Sequence, residues 1–189
     1  MLKDKNSFSE LRSHLVMTWP VKLAEKLPEP VLPDGYRIVQ QLKRRAFTAI
    51  HKSVNWDLDR GQWKDLNGVL MKNGMFFVLN EKNEPVAVAC AIHTKNSVEL
   101  GWVAVKSEYQ GIGIGKSLCA HVVQFLLKKG HKRIYLATED DLLPAIHIYL
   151  KMGFVPVLHD TDMLNRWKRV CFELKQDFKD ESWPSKLQV

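Results

Sequence analysis

"VAVKSEYQGIGIGKSL", residues 103–118, passes from an apolar, strand-like run through three glycines into an apolar helical one. Gly111, Gly113 and Gly115 take the Cβ from alternate positions, which opens positive φ and lets the backbone approach a ligand closely. Successive N–H groups in such a loop form a concave anion site. A helix starting near Gly115 adds unpaired donors and the positive end of its dipole. Two nucleotide motifs come close and each misses one obligatory position. The P-loop, G-x-x-x-x-G-K-[ST], ends on Gly115-Lys116-Ser117 but needs glycine where Gln110 stands. The dinucleotide fingerprint, G-x-G-x-x-G, takes Gly111 and Gly113 but needs glycine at Lys116. Alone, the three glycines leave a ligand-free strand-to-helix turn as open as an anion site, and the flanking sequence has to decide.

Upstream, Val103-Ala104-Val105 closes the run "SVELGWVAV", and "MFFVLN" and "PVAVACAIH" flank the turn "EKNE" as a hairpin. Before them, "YRIVQQL" reads as a strand. Phe47, Ile50 and Val54, then Trp63, Leu66, Val69 and Leu70, mark two helices, the second stopped by Asn73-Gly74. Downstream come a helix from about Gly115 to Lys129 stopped by Gly130, the buried strand "KRIYLAT", and the helix "DLLPAIHIYLKM" with Pro144 in its first turn. "GFVPVL" and "RWKRVCFEL" close the chain as strands. The order β-α-α-β-β-β-α-β-α-β-β implies an α+β domain with one mixed, mostly antiparallel sheet flanked by helices. At the N-terminus, Ser7-x-x-Glu10 fits a capping box on a short helix carrying Phe8, Leu11 and Leu15. Pro20, Pro28, Pro30, Pro33 and Gly35 then mark a connection. The expected division is residues 1–35 as helix and Pro-rich connection, 36–175 as the domain, and 176–189 as a tail.

The 189 residues suffice for one well-filled domain, and 46% apolar with 26% charged residues is a globular balance. No apolar run approaches the ~20 residues of a membrane span, and the charged first ten residues lack a secretory pattern. Cys90, Cys119 and Cys171 are odd in number and widely spaced, which argues against a metal site or disulfide framework and for core thiols in a cytoplasmic setting. Lys and Arg outnumber Asp and Glu by 28 − 21 = 7. The excess favours anionic ligands, but it is scattered and no nucleic-acid-binding signature accompanies it.

The wider stretch resembles the GNAT superfamily of N-acetyltransferases. There V-x-V ends a strand and [QR]-x-x-G-x-[GA] cradles the pyrophosphate of acetyl-coenzyme A; Val103-Ala104-Val105 and Gln110-x-x-Gly113-x-Gly115 match at the expected separation. About thirty residues on, "AIHIYLKMGF" is similar to the family's A-I-x-x-Y-x-x-x-G-F unit. Leu142 departs from the pattern, since the family often has Asn there. The resemblance implies acetyl-coenzyme A as acyl donor, no metal, and direct transfer to an amine in a ternary complex. It assigns the donor to Val103, Ala104, Val105 and the loop Gln110, Gly111, Ile112, Gly113, Ile114, Gly115, Lys116 and Ser117. It also implies that the Val103 and Val105 backbone pairs with the pantetheine arm, an N–H near Val105 polarises the thioester, and Tyr149 protonates the leaving thiolate.

The residues themselves suggest the base. Glu99 lies in an apolar strand, and period two sets it on one face with Gly101, Val103 and Val105, looking toward the thioester. His93, ending the preceding strand, is the second candidate; His147 is a further histidine that could face the cofactor, whereas His121 and His131 are expected on helix surfaces or ends. Gly101 suggests a bulge that would splay the strand. For the acceptor, a small amine or a peptide, "NWDLDRGQW" offers Trp56, Asp57, Asp59 and Trp63 as aromatic walls and carboxylates, with His93 joining Trp56 and Asp57 as a binding candidate; in the alternative Trp63 is core and the two Asp residues cap the second helix. A homodimer is compatible with this reading. The rival function is a non-catalytic acyl-coenzyme A sensor or interaction module on the same fold.

Overall fold

The computed structural model describes residues 14–23, 29–40, 44–94, 97–179 and 182–185. Seven strands form one sheet: β1 Leu15–Trp19, β2 Arg37–Gln40, β3 Leu70–Leu79, β4 Pro85–His93, β5 Val98–Val105, β6 Ile134–Thr138 and β7 Val155–Pro156. Five α-helices accompany them: α1 Arg44–Ser53, α2 Arg60–Val69, α3 Ile114–Lys128, α4 Leu143–Met152 and α5 Thr161–Glu173. The strand order is β2-β3-β4-β5-β6-β1-β7. β5 and β6 run parallel and the other neighbours are antiparallel. The mixed, mostly antiparallel sheet expected from the sequence is therefore present.

Alternation along the central strands sorts side chains into two cores. Phe76 and Val78 of β3 join Leu118, Val122 and Ile146 from α3 and α4, whereas Met75 and Phe77 join Phe47, Ile50 and Leu66 from α1 and α2. β4 is covered on both sides and is accordingly apolar almost throughout. Phe47 and Phe77 are fully buried, and truncating either to Ala would cost about 3–5 kcal/mol through lost transfer energy and a residual cavity.

Three local readings need correction, and a fourth lies outside the described residues. Residues 15–19 are not part of a connection or helix: β1 inserts between β6 and β7, with Met17 paired to both Leu136 and Pro156. A strand flanked on both edges and buried on both faces reads as a short apolar run and carries little period-two signal. The Ser7–Glu10 capping box lies outside the described residues. Asn73-Gly74 does not end α2, which stops at Val69; it forms a bulge in β3, with Asn73 at φ +60°. A Cβ on Gly74 would stand 2.7 Å from the Ala91 carbonyl oxygen, so close backbone approach requires glycine there.

The last correction concerns "RWKRVCFEL", which is helical within α5. Asp160 caps α5 by accepting from the Met163 N–H at 2.8 Å, and Met163, Trp167, Val170 and Cys171 are buried at helical spacing. Viewed from Arg166 onward the β-prone Val-Cys-Phe dominates, and the periodicity needs Met163 to be seen. Beyond α5, Phe178 and Trp183 pack on the larger core, and Leu158 N–H donates to the Pro184 carbonyl. Part of the expected tail is thus docked.

Candidate active site

The parallel pair β5–β6 has two rungs, Val98 with Ile134 and Glu99 with Tyr135. Past Glu99, β5 stays with β4 while β6 stays with β1, so the sheet forks. Lys106 N–H donates to the Val86 carbonyl on β4, and peptide planarity therefore turns the Val105 carbonyl to the opposite edge, into the fork. Gln110 Nε2 donates to that carbonyl at 2.9 Å. The Val105 N–H projects to the same side, where no strand pairs with it among the described residues. Gln110 thus braces the loop against the end of β5.

The glycine loop leaves a row of backbone donors open. Gly111 and Gly113 take φ +79° and +91°, and an added Cβ at either meets nothing within 4 Å. The first backbone bond of α3 is Ser117 N–H to the Gly113 carbonyl at 3.0 Å. The N–H groups of residues 111–116 therefore have no backbone acceptor among the described residues. Ile112 and Lys116 are exposed, while Ile114 is core. Gly115 packs within α3, where its missing Cβ would lie 3.4 Å from Val105 Cγ2. Ser117 faces elsewhere: it is buried and its hydroxyl donates to the Val31 carbonyl, tying the Pro-rich segment to α3. An open, positive-φ cradle of free donors at a helix start fits the pyrophosphate of coenzyme A.

β5 carries the bulge anticipated at Gly101, between the Ala104–Val88 and Gly101–Cys90 rungs. Trp102, and not the glycine, takes the positive φ of +56°. A left-handed conformation at a bulky residue costs about 1–2 kcal/mol, so its surroundings must impose it. The bulge also breaks the period-two reading. Glu99 pairs with Ile92, which belongs to the α1/α2 core, whereas Val103 and Val105 pack on the α3/α4 core. Glu99 and the two valines consequently face opposite sides of the sheet, with Glu99 on the last rung before the fork. Burial raises the Glu99 carboxyl above the ordinary glutamate range.

On the other side, Tyr149 is buried, packs edge-on against Phe154 at 6.1 Å, and neighbours Cys119 of α3. Burial, then Cys119, pushes its phenol well above the ordinary value, so Tyr149 stays protonated and available as a donor. Leu142, N-terminal to α4, is half-exposed and supplies no side-chain cap. The cysteines are buried and free, and burial holds all three thiols up, Cys119 to about 12.

The acceptor-side residues separate. His93 stands edge-on to His131 at 5.9 Å, beyond the C-terminal end of α3, and so lies at the far end of that helix from the glycine loop. His147 meets Gln176 at 3.1 Å, on the side of α4 toward the segment after α5. Asp59 closes a capping box with Gln62 at the start of α2, and Asp57 is exposed. Trp56 is placed by the end of α1. Asn55 takes φ +62°, its N–H donates to the Lys52 carbonyl, and Trp56 N–H donates to the His51 carbonyl at 3.0 Å, a Schellman ending. Trp56 then stacks on Trp102 with centroids 5.2 Å apart and planes at 12°. Trp102 and the buried His51 beneath this stack are residues the sequence reading passed over. His51 follows Phe47 by four positions on the buried face of α1, which was the available signal.

The family model for the acetyltransferase (GNAT) family matches residues 36–154. Among curated proteins, a mycothiol acetyltransferase of Saccharomonospora viridis is 27% identical, covering 84% of this chain and 58% of its own. N-acetyltransferase 8F1 of Rattus norvegicus is 31% identical over 45% of this chain and 41% of its own. The chain thus spans about half the length of these relatives. A GCN5-related N-acetyltransferase from Sphaerobacter thermophilus superposes with a TM-score of 0.61 at 17% identity, covering 79% of this chain and 51% of that one. The ribosomal-protein-S18-alanine N-acetyltransferase of Escherichia coli does so at 0.54 and 20%, covering 64% and 77%. With the family model matched over residues 36–154, more than half of its length, this chain belongs to the GNAT acetyltransferase family.

Proposed function

We propose that the chain transfers an acetyl group from acetyl-coenzyme A to an amine by direct attack in a ternary complex. The observation that carries this is the junction of six free N–H groups, at residues 111–116, with the unpaired β5 edge at Val105. The loop holds the pyrophosphate, and Val103 and Val105 line the pantetheine arm. The Val105 N–H donates to the thioester oxygen as negative charge builds there, in a site where water competes poorly. The amine nitrogen forms a bond to the acyl carbon and loses a proton, relayed through water, to the Glu99 carboxylate at the mouth of the fork. The carbon–sulfur bond breaks, and the thiolate takes the Tyr149 proton, giving an amide and free coenzyme A thiol.

Burial raises the proton affinity of Glu99, as a general base requires, at the cost of keeping it protonated in acid. Thiols held protonated and buried support attack by the amine over an acyl-cysteine route. The relatives' printed names, as acetyltransferases, support acyl transfer and leave the acceptor among small amines and peptides. The test is release of free thiol from acetyl-coenzyme A across a panel of amines and peptide N-termini. Amine-dependent release supports the reading; tight acetyl-coenzyme A binding with no release from any acceptor supports a non-catalytic binding module instead.

A further inference from the structure

The turn that joins β3 to β4 is organised around one buried amide. Asn80 is 5% exposed, and its Oδ1 accepts from the Lys82 and Glu84 N–H groups at 3.0 and 2.9 Å. Backbone N–H groups can only donate, so the amide oxygen is fixed on them and Nδ2 points the other way. Nδ2 donates to Glu84 Oε2 at 3.0 Å and to the Tyr109 hydroxyl at 3.1 Å. Closing the turn needs only the oxygen of this side chain, which Asp or Ser would supply as well. The amide nitrogen adds a bond to a residue 29 positions on, in the single 3-10 turn Ser107–Tyr109 that leads into the glycine loop.

Tyr109 likewise does more than fill space. Its ring packs on the α3/α4 core and stands edge-on to Tyr36 at 6.3 Å, which a phenyl ring would do equally. The hydroxyl is what reaches Asn80. One residue later Gln110 donates to the Val105 carbonyl, and the row of free N–H groups begins at Gly111. Beyond Gly113, Ile114 is buried in the core and holds the start of α3. Residues 111–113, with two positive-φ glycines, are thus held at both ends. Glycines lose the most freedom on ordering, so a tether here has the most to save.

We propose that Asn80 and Tyr109 are positioning residues for the acyl donor: their hydrogen bond fixes the entrance of the glycine loop on the β3–β4 turn, so that the N–H groups of residues 111–116 stand ready for the pyrophosphate. The proposal rests on the acetyltransferase reading. Neither side chain touches the donor in it. Both act through the loop backbone, by reducing the ordering that binding must otherwise impose.

The experiment compares wild type with Tyr109→Phe, which keeps the ring and removes the hydroxyl, with Asn80→Ser, which keeps an oxygen for the turn, and with the double variant. Arg37→Ala is the control: it cuts another tie of the same turn, Arg37 Nη2 to Asn83 Oδ1 at 2.6 Å, and leaves the loop alone. The readouts are the calorimetric Kd for acetyl-coenzyme A and kcat at saturating acetyl-coenzyme A. Each single variant should raise Kd about three- to tenfold, as loss of one neutral hydrogen bond does. The double variant should bind no more weakly than the worse single, because both remove the same bond. Arg37→Ala should bind within about twofold of wild type, and kcat should change less than about twofold in every variant, since the loop acts on binding and not on transfer. Tyr109→Phe with the Arg37→Ala control carries the test if Asn80→Ser does not fold. Wild-type affinity in Tyr109→Phe overturns the proposal, as do single effects that multiply in the double variant, an equal loss in Arg37→Ala, or a fall in kcat as large as the loss of affinity. Each of these leaves the acetyltransferase reading standing. Failure of wild type to bind acetyl-coenzyme A overturns both.

Discussion

Replacing Gly113 by Ala separates what the loop does for folding from what it does for a ligand, because Gly130 provides a matched control. The two glycines have nearly the same backbone, φ +91° and +89°, and an added Cβ meets nothing within 4 Å at either. They sit at opposite ends of α3: Gly113 caps its start among the free N–H groups, and Gly130 follows its last turn. Ala at either position is forced into the left-handed region, at about 1–2 kcal/mol. In a domain of this size each kcal/mol moves Tm by about 2–4 °C, so both variants should melt roughly 2–8 °C lower.

Their affinities for acetyl-coenzyme A should part company. On the proposed donor site, the open space that the Gly113 Cβ enters is the space a phosphate would fill. Displacing the anion from one donor forfeits a charge-assisted hydrogen bond of about 1.5–3 kcal/mol, or roughly 10- to 150-fold in Kd. Gly130→Ala should bind within about twofold of wild type. Thermal melts and calorimetric titration of both proteins make the comparison. Equal affinities in the two variants would refute the assignment of the loop to the donor, whatever their stabilities.

Three other outcomes are expected. Tyr149→Phe lowers kcat by about tenfold or more while leaving acetyl-coenzyme A affinity unchanged, because the proton is needed only during transfer; unchanged kcat in a chemistry-limited assay removes Tyr149 as the acid. Glu99→Gln flattens the acid limb of the kcat/KM profile, which in wild type should fall above the ordinary glutamate range because the folded carboxyl is raised. The same shift fixes the sign for stability: a raised folded pKa penalises the ionised form, so Glu99→Gln raises Tm above that pKa, and the gain vanishes as pH falls through the unfolded value of about 4.3. Trp56→Ala, which removes one face of the Trp102 stack, should raise the acceptor KM more than that of acetyl-coenzyme A; an effect confined to Tm would mark Trp56 as packing alone.

The glycine loop after β5 was legible from the sequence because its geometry is local. Gly111 and Gly113 shape the loop through their own backbone and Gln110 through a contact five residues away, so a short string encodes the geometry. Hairpin strands β3 and β4 and helices α1, α3 and α4 were legible through turn residues and periodicity. The misses share a different cause. β1 is set by partners more than a hundred residues away in β6, and α5 by a core contact, Trp167, whose period is visible only from Met163. The Glu99 face illustrates how a sound rule fails: Gly101 pointed to a bulge, and a bulge shifts the phase of every residue after it. His51 passed unseen because its surroundings include Trp102, which follows it by 51 residues and lies against it in space. The proposed acceptor side is the least legible part, since it would combine the α1–α2 connection with the face of β5.

Calorimetric titration of the purified chain with acetyl-coenzyme A, ATP and NAD at matched concentration tests the central claim most directly. Saturable binding of acetyl-coenzyme A, with none of ATP or NAD, is the predicted result. Preferential binding of ATP would contradict it, returning Gly115-Lys116-Ser117 to a nucleotide-binding role and removing the donor from the fork between β5 and β6.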